Sequence, residues 1–461
     1  MRRLALPIAA AALLVGLALP ALASGRVPYI KHYFVILLEN KTYDKTFGPN
    51  PEAPYLAKTL PKQGAFLQRY YGIGHLSLDN YIAMVSGQPP NPDTQSDCMF
   101  FSDFIGAGMD SDGALIGRGC VYPAGSAQTV ANQLEGAGFN WRAYGEDMAA
   151  SVSSGEPATC RHPSVGGRDE TQSAEADDQY ATRHVPFLYF HSIIDFPTCD
   201  RNVVDLSLLQ KDLQRAGTTP SYSFIVPDLC ADGHDAHCVD PNAEGGFKGI
   251  DAFLKTWVPR ITRSAAYQDH GLLLITFDEA GATLGEEDQS ACCNEKPGPN
   301  TPNPGGIFQG PGGGRVGAVA LSPCTKPGTV TTVPYNHYSQ LRWVEDNFGL
   351  PHLGYAGQAG LVPFGADFLN RPLCGQKVDL ALNPQVSRAG RQTSFHFRAR
   401  SALDRCRRSV EIDFGGKIAH TNGAGKATIR RRFAHPGTRV ARASKPGCAP
   451  DSARVHVLPA S

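Results

Sequence analysis

The chain has 461 residues, of which 42% are hydrophobic, and it contains 49 glycines and 35 prolines. This length allows one large hydrophobic core and a second, smaller module, with loops making up much of the chain. The formal net charge at pH 7 is zero. No basic stretch is interleaved with aromatic residues, which argues against specific nucleic-acid recognition.

The first 23 residues have the pattern of a cleaved secretory signal. Two arginines precede a long apolar run that ends in Ala21-Leu22-Ala23, a typical small-residue cleavage site. A retained amino-terminal anchor is the alternative, and the cleavage site makes it less favoured. No later segment is long and apolar enough to cross a membrane. We therefore expect a secreted protein whose mature chain begins at residue 24.

All 12 cysteines lie after the predicted signal. An even number of cysteines suits a disulfide-bonded protein outside the cytosol. No Cys-x-x-Cys pair is present, which argues against a structural zinc knuckle. Cys230 with Cys238 and Cys406 with Cys448 are candidate bridges, although sequence alone does not give the connectivity.

From residue 24 to residue 374, predicted helices and strands alternate. Apolar runs predict strands over residues 33–38, 65–73, 139–144, 221–226, 272–277 and 316–321. Helical periodicity covers residues 53–63, 128–135, 203–216, 246–267 and 338–348. This alternation predicts an α/β fold with a parallel or mixed sheet and helices on both of its faces. Residues 281–314, rich in glycine and proline, predict a long loop, which in a compact domain is usually functional or mobile.

Charge divides the chain near Cys374. Residues 376–461 carry 17 Lys and Arg against 5 Asp and Glu, a net charge of +12, and the remainder carries 26 against 38, a net charge of −12. The tail contains short β runs separated by turns, which predicts a small β-sandwich over residues 375–461. Its basic face is a candidate contact for an anionic cell-wall polymer or lipid surface. A solvated face that keeps a small domain soluble is the simpler interpretation.

Polar side chains follow two of the predicted buried strands. Glu39 and Asn40 come directly after residues 33–38, and Asp278 and Glu279 come directly after residues 272–277. In open α/β sheets, ligands bind outside the carboxyl ends of the strands. Adjacent carboxylates repel each other unless a cation or a proton offsets them. The two pairs together therefore predict a site for a hard divalent metal ion, and a pair of exposed loop acids is the alternative for either pair alone.

Ser77 stands where a helix is predicted to begin, in the segment HLSLDNYIAMVSG. A serine in that position is most often only an N-cap. It is also where a nucleophile gains most, because the free amides and the dipole of a helix start attract a phosphoryl oxyanion.

Four histidines lie in segments that bracket the predicted metal site and the serine. A lone histidine is usually a surface residue or a satisfied core residue. In this setting we expect phosphate contacts, further metal ligands or a general acid. The four are His75, His184, His234 and His337.

The segments ENKTYD, HLSLDNYIAMVSG, PDLCADGHD, ITFDE and YNHYSQLR resemble, in order and spacing, the motifs of the bacterial and fungal phosphoesterase family. That family holds secreted acid phosphatases and phosphatidylcholine-type phospholipases C, and it belongs to the alkaline phosphatase superfamily. The resemblance covers residues 29–372 and leaves out the basic tail. It implies an alkaline-phosphatase-like α/β/α sandwich in which a metal ion activates a serine that forms a phospho-enzyme.

The resemblance also implies a role for each candidate residue. Ser77 is the implied nucleophile, and His337 or His234 would protonate the leaving alcohol. The implied ligands of the metal (Ca, Mg, Mn or Zn) are Glu39, Asn40, Asp278 and Glu279. Asn80 is the implied phosphate contact, and the positions of His75 and His184 beside the site make these two histidines further candidate substrate contacts. The chain has Asp79-Asn80 where related members have Pro-Asn, and Asp278-Glu279 where the family often has Asp-Asp.

Three functions follow from this interpretation. The expected one is a secreted metal-dependent phosphomonoesterase of the acid phosphatase type, acting on small phosphate monoesters, with residues 281–314 as a substrate gate. A phospholipase C or phosphoinositide phosphatase that acts on phospholipid head groups is the alternative. A catalytically inactive surface-binding protein is the more distant one. The Cys-x-Pro-x-Arg pattern of sulfatases is absent.

Overall fold

A computed structural model describes residues 27–150, 158–281, 288–306, 309–370, 374, 378–401, 406–445 and 448–460. The predicted signal lies outside these residues, as do parts of the predicted 281–314 loop and of the predicted domain boundary. In the described part of the chain, no helix has the length and apolar character needed to span a bilayer.

The strands of the larger, amino-terminal part are short except for two central ones. They are β1 (His32–Leu38), β2 (Ala65–Leu67), β3 (Tyr70–Tyr71), β4 (Ile105–Met109), β5 (Leu115–Arg118), β6 (Trp141–Gly145), β7 (Val203–Asp205), β8 (Tyr222–Val226), β9 (Gly271–Phe277), β10 (Ala318–Leu321), β11 (Thr329–Thr331) and β12 (Tyr335–Asn336). The α-helices are α1 (Tyr43–Phe47), α2 (Leu60–Gln63), α3 (Ser77–Ser86), α4 (Val130–Gly136), α5 (His191–Ile194), α6 (Thr198–Asn202), α7 (Leu209–Asp212), α8 (Gly246–Arg263), α9 (Ala265–Gln268) and α10 (His337–Phe348).

An eight-stranded mixed sheet organises this part of the molecule, in the order β11-β2-β10-β9-β1-β8-β6-β7. β1 lies at its centre and pairs in parallel with β8 and β9, whereas β10 is antiparallel to β9 and β2. Every residue of β9 and every residue of β1 after His32 is buried. Burial of consecutive residues means that both faces of the sheet are covered. The predicted α/β fold with a buried central sheet is confirmed.

The predicted helix over residues 203–216 is wrong in its first part. β7 occupies residues 203–205 and joins the edge of the sheet, and the helix α7 is confined to Leu209–Asp212. Val203 and Val204 pair with Ala143 and Tyr144 of β6. β-branched residues suit a strand, and pairing with the sheet overrides the helical periodicity of the segment. The helix predicted over residues 246–267 is also divided, because Ser264 ends α8 and caps α9.

The carboxyl-terminal part forms two packed antiparallel and mixed sheets, which we call the sandwich. Its strands are β13 (Asp379–Asn383), β14 (Val386–Arg388), β15 (Gln392–Arg400), β16 (Glu411–Phe414), β17 (Lys417–His420), β18 (Lys426–Arg432), β19 (Gly437–Lys445) and β20 (Cys448–Leu458). The sheet orders are β13-β15-β18 and β14-β20-β19-β16-β17. The sandwich has its own hydrophobic core, which begins at Val378, and the core of the larger part ends at Cys374. The limits 24–374 and 375–461 for the two domains stay a prediction.

All 12 cysteines are paired in disulfide bonds. Both candidate bridges from the sequence, Cys230–Cys238 and Cys406–Cys448, are confirmed. The remaining bonds are Cys98–Cys120, Cys160–Cys199, Cys292–Cys293 and Cys324–Cys374. This density of disulfides is typical of proteins outside the cytosol.

Candidate active site

Two adjacent parallel strands bring the predicted metal ligands together. Leu38 at the end of β1 is paired with Phe277 at the end of β9, so the residues that follow both strands meet at one edge of the sheet. The backbone N–H of Asn40 donates to Asp278 Oδ1 at 2.9 Å. Asn40 has a φ of 56°, a left-handed conformation that asparagine tolerates better than most residues. The four side chains gathered at this edge are Glu39, Asn40, Asp278 and Glu279.

Ser77 begins α3 beside this edge. Its hydroxyl donates to Glu39 Oε2 at 2.8 Å. The N-cap of α3 is Leu76, whose φ of 75° is a strained conformation for a residue other than glycine, and Asp97 accepts a backbone N–H of the first turn. The Ser77 hydroxyl is therefore directed at a carboxylate and not at the backbone of its own helix.

The Glu39 carboxylate accepts hydrogen bonds from several donors. Asn40 Nδ2 donates to the same oxygen as Ser77, at 2.7 Å, and the Tyr81 hydroxyl donates to Oε1 at 2.6 Å. Glu39 is fully buried. Burial raises the pKa of Glu39 well above its usual value, and the neighbouring Asp278 carboxylate raises it further.

Glu279 is held from the side of the helix start. His75 Nδ1 makes a short contact with Glu279 Oε2, and the Leu76 N–H donates to Oε1 at 3.2 Å. The other ring nitrogen of His75 lies 3.1 Å from the carbonyl oxygen of Asp288. Both nitrogens of His75 are thus engaged within the protein, and its role as a substrate contact stays a prediction.

A second potential metal-binding group includes Glu39 and adds two residues. One ligand atom each from Glu39, His184 and Asp232 lies within 4.8 Å of the others, and all three residues are buried. His184 Nε2 is 3.3 Å from Glu39 Oε1, and His184 Nδ1 is 3.1 Å from Asp232 Oδ2, but neither contact has hydrogen-bond geometry. Potential ligand atoms that lie close together without a hydrogen bond between them are expected around a cation.

The charge state of His184 suits it to bind a metal together with Glu39 and Asp232. Burial, together with the nearby Arg183 cation, lowers the pKa of His184 well below its usual value. The imidazole is therefore neutral, which is the form that binds metals. Its ring stacks on Tyr81, with centroids 5.2 Å apart and planes 4° apart. The sequence placed His184 among substrate contacts, and the structure makes it a candidate ligand as well.

Arg183 and Asp232 are site residues that the sequence analysis missed. Arg183 is 2% exposed, its Nη2 lies 3.2 Å from His234 Nε2, and its Nε finds no acceptor within hydrogen-bond geometry among the described residues. A buried guanidinium with a spare donor is suited to a phosphate oxygen. Asp232 is one of three aspartates in the segment PDLCADGHD, and no spacing rule distinguishes the one that points inward.

The structure gives His337 and Asn80 contacts within the protein. His337 is fully buried, its Nε2 lies 2.6 Å from the carbonyl oxygen of Asp278 and its Nδ1 lies 3.2 Å from the Tyr70 hydroxyl. Burial lowers the pKa of His337 to about 4. The Asn80 side chain accepts from the N–H groups of Ile73 and Gly74. Both residues shape the backbone of the site here, and their predicted roles as general acid and phosphate contact stay predictions.

The buried carboxylates of the site favour a compensating positive charge. Burial and mutual repulsion raise the pKa of Asp278, Glu279, Asp232 and Asp79 well above their usual values. Within the described residues, Oδ2 of Asp278, Oδ2 of Asp232 and both carboxylate oxygens of Asp79 are buried without a hydrogen-bond donor. A buried carboxylate without a donor is costly unless a proton or a cation compensates it. This set of oxygen donors with one imidazole fits a divalent cation.

Comparison with known proteins identifies the family that the sequence matches. The sequence model of the Phosphoesterase family matches residues 50–351, a range that includes Ser77, His184, Asp232, Asp278 and His337 and begins after Glu39. A "probable acid phosphatase" of Kluyveromyces lactis is 26% identical over 341 residues, 74% of this chain and 63% of its own length. The chain thus spans less than two thirds of that relative.

Two further comparisons cover more of the other protein than the first one does. A phosphatidylinositol-3-phosphatase of Mycobacterium tuberculosis is 24% identical over 338 residues, which is 73% of this chain and 83% of its own length. A crystal structure of an alkaline phosphatase superfamily protein from Vibrio parahaemolyticus aligns with a TM-score of 0.41 at 12% identity, over 89% of this chain and 84% of that one.

Proposed function

Because the chain belongs to the phosphoesterase family, we propose that it is a secreted, metal-dependent phosphomonoesterase of the acid phosphatase type that works through a phosphoserine at Ser77. The observation that carries this proposal is the 2.8 Å hydrogen bond from the Ser77 hydroxyl to Glu39 at the start of α3. A hydroxyl in that position has a carboxylate to accept its proton. The dipole of the helix start also attracts the oxygens of a phosphoryl group.

A divalent cation fits the carboxylates around Ser77. We assign as its ligands Glu39, Asn40, Asp278 and Glu279, with His184 and Asp232 as further candidates. Such a cation, when bound, polarises the phosphoryl oxygens and stabilises the negative charge that develops on them. The buried oxygens of Asp278 and Asp232 that lack a donor support this assignment.

Residues of the chain carry out the nucleophilic attack and the proton transfers. Ser77 Oγ attacks phosphorus and forms the O–P bond while its proton passes to Glu39, and the bond from phosphorus to the leaving oxygen breaks. His234 gives that oxygen a proton, so an alcohol leaves. Water then attacks the phosphoserine as His234 takes its proton, the Oγ–P bond breaks, and Glu39 returns the proton to Ser77.

His234 is better placed than His337 for the acid role. The His234 side chain is 33% exposed, so it can exchange protons with solvent and reach a substrate, whereas His337 is fully buried. Both ring nitrogens of each histidine have partners within the protein, so exposure is what distinguishes them. Arg183 holds His234 from one side and keeps a donor for the phosphoryl oxygens, whose charge must be neutralised in the transition state.

Hydrolysis of p-nitrophenyl phosphate tests the proposal. Wild type and Ser77→Ala would be compared with and without a chelator, followed by addition of Ca²⁺, Mg²⁺, Mn²⁺ or Zn²⁺ in turn. We expect turnover by the wild type that chelation abolishes and one of the metals restores, and no turnover by Ser77→Ala. Mass spectrometry of the quenched wild type should find one phosphoryl group on the peptide that contains Ser77.

Ser86→Ala is the matched control, because Ser86 lies on the same helix and donates only to the backbone oxygen of Ile82. It should retain activity. Unchanged turnover in Ser77→Ala would refute the nucleophile, and full activity after exhaustive chelation would refute the metal dependence.

A second candidate function is hydrolysis of phosphate esters on lipid head groups. The Mycobacterium tuberculosis phosphatidylinositol-3-phosphatase favours it, because this chain covers 83% of that relative's length. Release of inorganic phosphate from phosphatidylinositol 3-phosphate at a higher kcat/KM than from p-nitrophenyl phosphate would establish a lipid phosphatase. Release of p-nitrophenol from p-nitrophenyl phosphocholine would point instead to a phospholipase C. Failure to turn over any of these esters would favour the inactive surface-binding protein.

A further inference from the structure

One face of the sandwich concentrates positive charge. Along β15 and β18 buried and exposed residues alternate, so every second side chain points away from the core. We call the outward side of the sheet β13-β15-β18 the basic face. Its five cations are Arg398, Arg400, Lys426, Arg430 and Arg432, and its one acid is Asp379.

Two of these cations lie directly opposite each other. Arg398 on β15 is the register partner of Lys426 on β18, and directly opposed side chains on one face have Cβ atoms about 5 Å apart. Like charges at this separation destabilise a strand pair. Within the described part of the chain, neither side chain forms an ion pair that would relieve the repulsion. An external anion would relieve it.

The opposite side of the sandwich differs in charge. The outward residues of the five-stranded sheet include three arginines, Arg388, Arg442 and Arg454, but also Glu411 and Asp413. Asp413 is the register partner of Arg442. Of the two outward sheet faces, the basic face therefore carries the larger net charge, +4 from five cations and one acid, against +1 from the three arginines and two acids of the opposite face.

The basic face also has a shallow cavity of about 400 Å³. Residues of three strands line it, including the cations Arg398 and Lys426. The other lining residues are Ala381, Leu382, Asn383, His396, Phe397, Ala427 and Thr428. The His396 ring is held by Thr428, with Nδ1 and Oγ1 3.1 Å apart. Two cations beside a depression of this size suit the phosphate and carboxylate of a lipid head group.

We propose that the basic face docks the protein onto an anionic phospholipid bilayer, with the cavity beside Arg398 and Lys426 taking a lipid head group. This inference rests on the sandwich alone and does not depend on the proposed function. Attraction to an anionic membrane surface is worth about a fivefold gain in partitioning for each Lys or Arg near the surface. Five cations against one acid are enough for measurable adsorption.

A bilayer fits this face better than a nucleic acid does. Among the described residues of β13, β15 and β18, no aromatic residue points outward: Phe395 and Phe397 are both buried in the sandwich core. Proteins that hold single-stranded nucleic acids stack the bases on exposed aromatic side chains. A three-stranded sheet instead spreads its charges over two dimensions, which matches a planar surface.

Vesicle sedimentation with the full-length protein tests the proposal. Vesicles of phosphatidylcholine alone would be compared with vesicles that also contain phosphatidylserine, at low and at physiological salt. We expect binding to the phosphatidylserine vesicles only, weakened by salt because exposed charges are screened. The variant Arg398→Gln/Lys426→Gln should bind about 25-fold more weakly, from about fivefold for each charge.

The matched control is Arg442→Gln/Arg454→Gln, which removes the same charge from the opposite side of the sandwich. It should bind vesicles like the wild type. Equal losses in the two double variants would overturn the proposal, since a general effect of net charge would then explain binding. Binding to DNA or polyphosphate at physiological salt without binding to the vesicles would also overturn it. Circular dichroism and turnover of p-nitrophenyl phosphate, both expected to be unchanged, confirm that the variants are folded.

Discussion

Like charges are crowded together in two regions of this protein, and the two regions differ in burial. At the sheet edge, Asp278, Glu279 and Asp232 are at most 1% exposed. On the sandwich, Arg398 and Lys426 also face each other, but both are exposed to solvent. Water and salt screen the repulsion of the second pair, whereas the buried carboxylates are shielded from bulk water and salt. Buried repulsion therefore requires a proton or a cation to compensate it, whereas exposed repulsion is already weakened by solvent and would only be reduced further by a bound anion.

The largest expected effect comes from removing one buried charge with the variant Asp278→Asn. Its Oδ1 can still accept from Asn40, but the negative charge is lost. Activity should fall at least about 100-fold, because even changes to groups that only orient a metal ligand cost about 10–100-fold. In the presence of a chelator, the variant should melt at a higher temperature than the wild type, since a buried repulsion has been removed.

Asp413→Asn is the control on the sandwich, where the carboxylate is exposed and accepts from Gly416 through Oδ1. We expect neither loss of activity nor a gain in melting temperature under chelation. Calorimetry of both variants against the wild type, with and without metal, measures the difference. A chelated Asp278→Asn that melts below the wild type would contradict our account of the buried carboxylates.

A buried carboxyl group away from the candidate metal site gives a smaller effect that depends on pH. Glu345 on α10 accepts from the Leu353 N–H at 2.8 Å, and burial raises its pKa from 4.5 to about 9. Folding therefore favours the protonated form. The stabilisation is fully present below about pH 4.5 and is lost as pH rises through about 9.

The test is a comparison with Glu345→Gln, which keeps the acceptor and cannot ionise. The free energy of unfolding of the wild type minus that of the variant should decrease by about 1.4 kcal/mol per pH unit between these two pKa values. Urea denaturation across this range measures it. Because the cause is burial and not a surface charge, the slope should persist in high salt. A difference that is constant with pH would refute the shifted pKa.

The sequence predicted the parts of the site that depend on strand periodicity. Apolar runs placed Glu39 and Asp278 at the ends of strands, and the parallel pairing of β1 and β9 then brings them together. It also located the charge break and the short strands of the sandwich. These features follow from local pattern, because side-chain alternation and strand length are set by nearby residues.

Other features depend on tertiary contacts that no local pattern records. Arg183 became a site residue only because its turn folds against His234, and the inward direction of Asp232 is set by backbone contacts with Glu39 and Asp228. Residues 203–205 form a strand because an open edge of the sheet beside β6 is available to them. The position of Arg398 directly opposite Lys426 likewise depends on the register between β15 and β18, which the sequence alone does not give.

The smallest expected effect is on the basic face, where one substitution should separate stability from binding. Arg398→Glu places a carboxylate opposite Lys426, and an opposite-charge pair in this position is worth about 0.2–1 kcal/mol. The variant should therefore be slightly more stable than the wild type while it loses binding to phosphatidylserine vesicles. Arg442→Glu is the mirror experiment, because it creates a like-charge pair with Asp413 and should lower stability without affecting the vesicles. If Arg398→Glu lost both stability and binding, Arg398 would itself stabilise the sandwich. Its positive charge would then have a structural role and not a docking role.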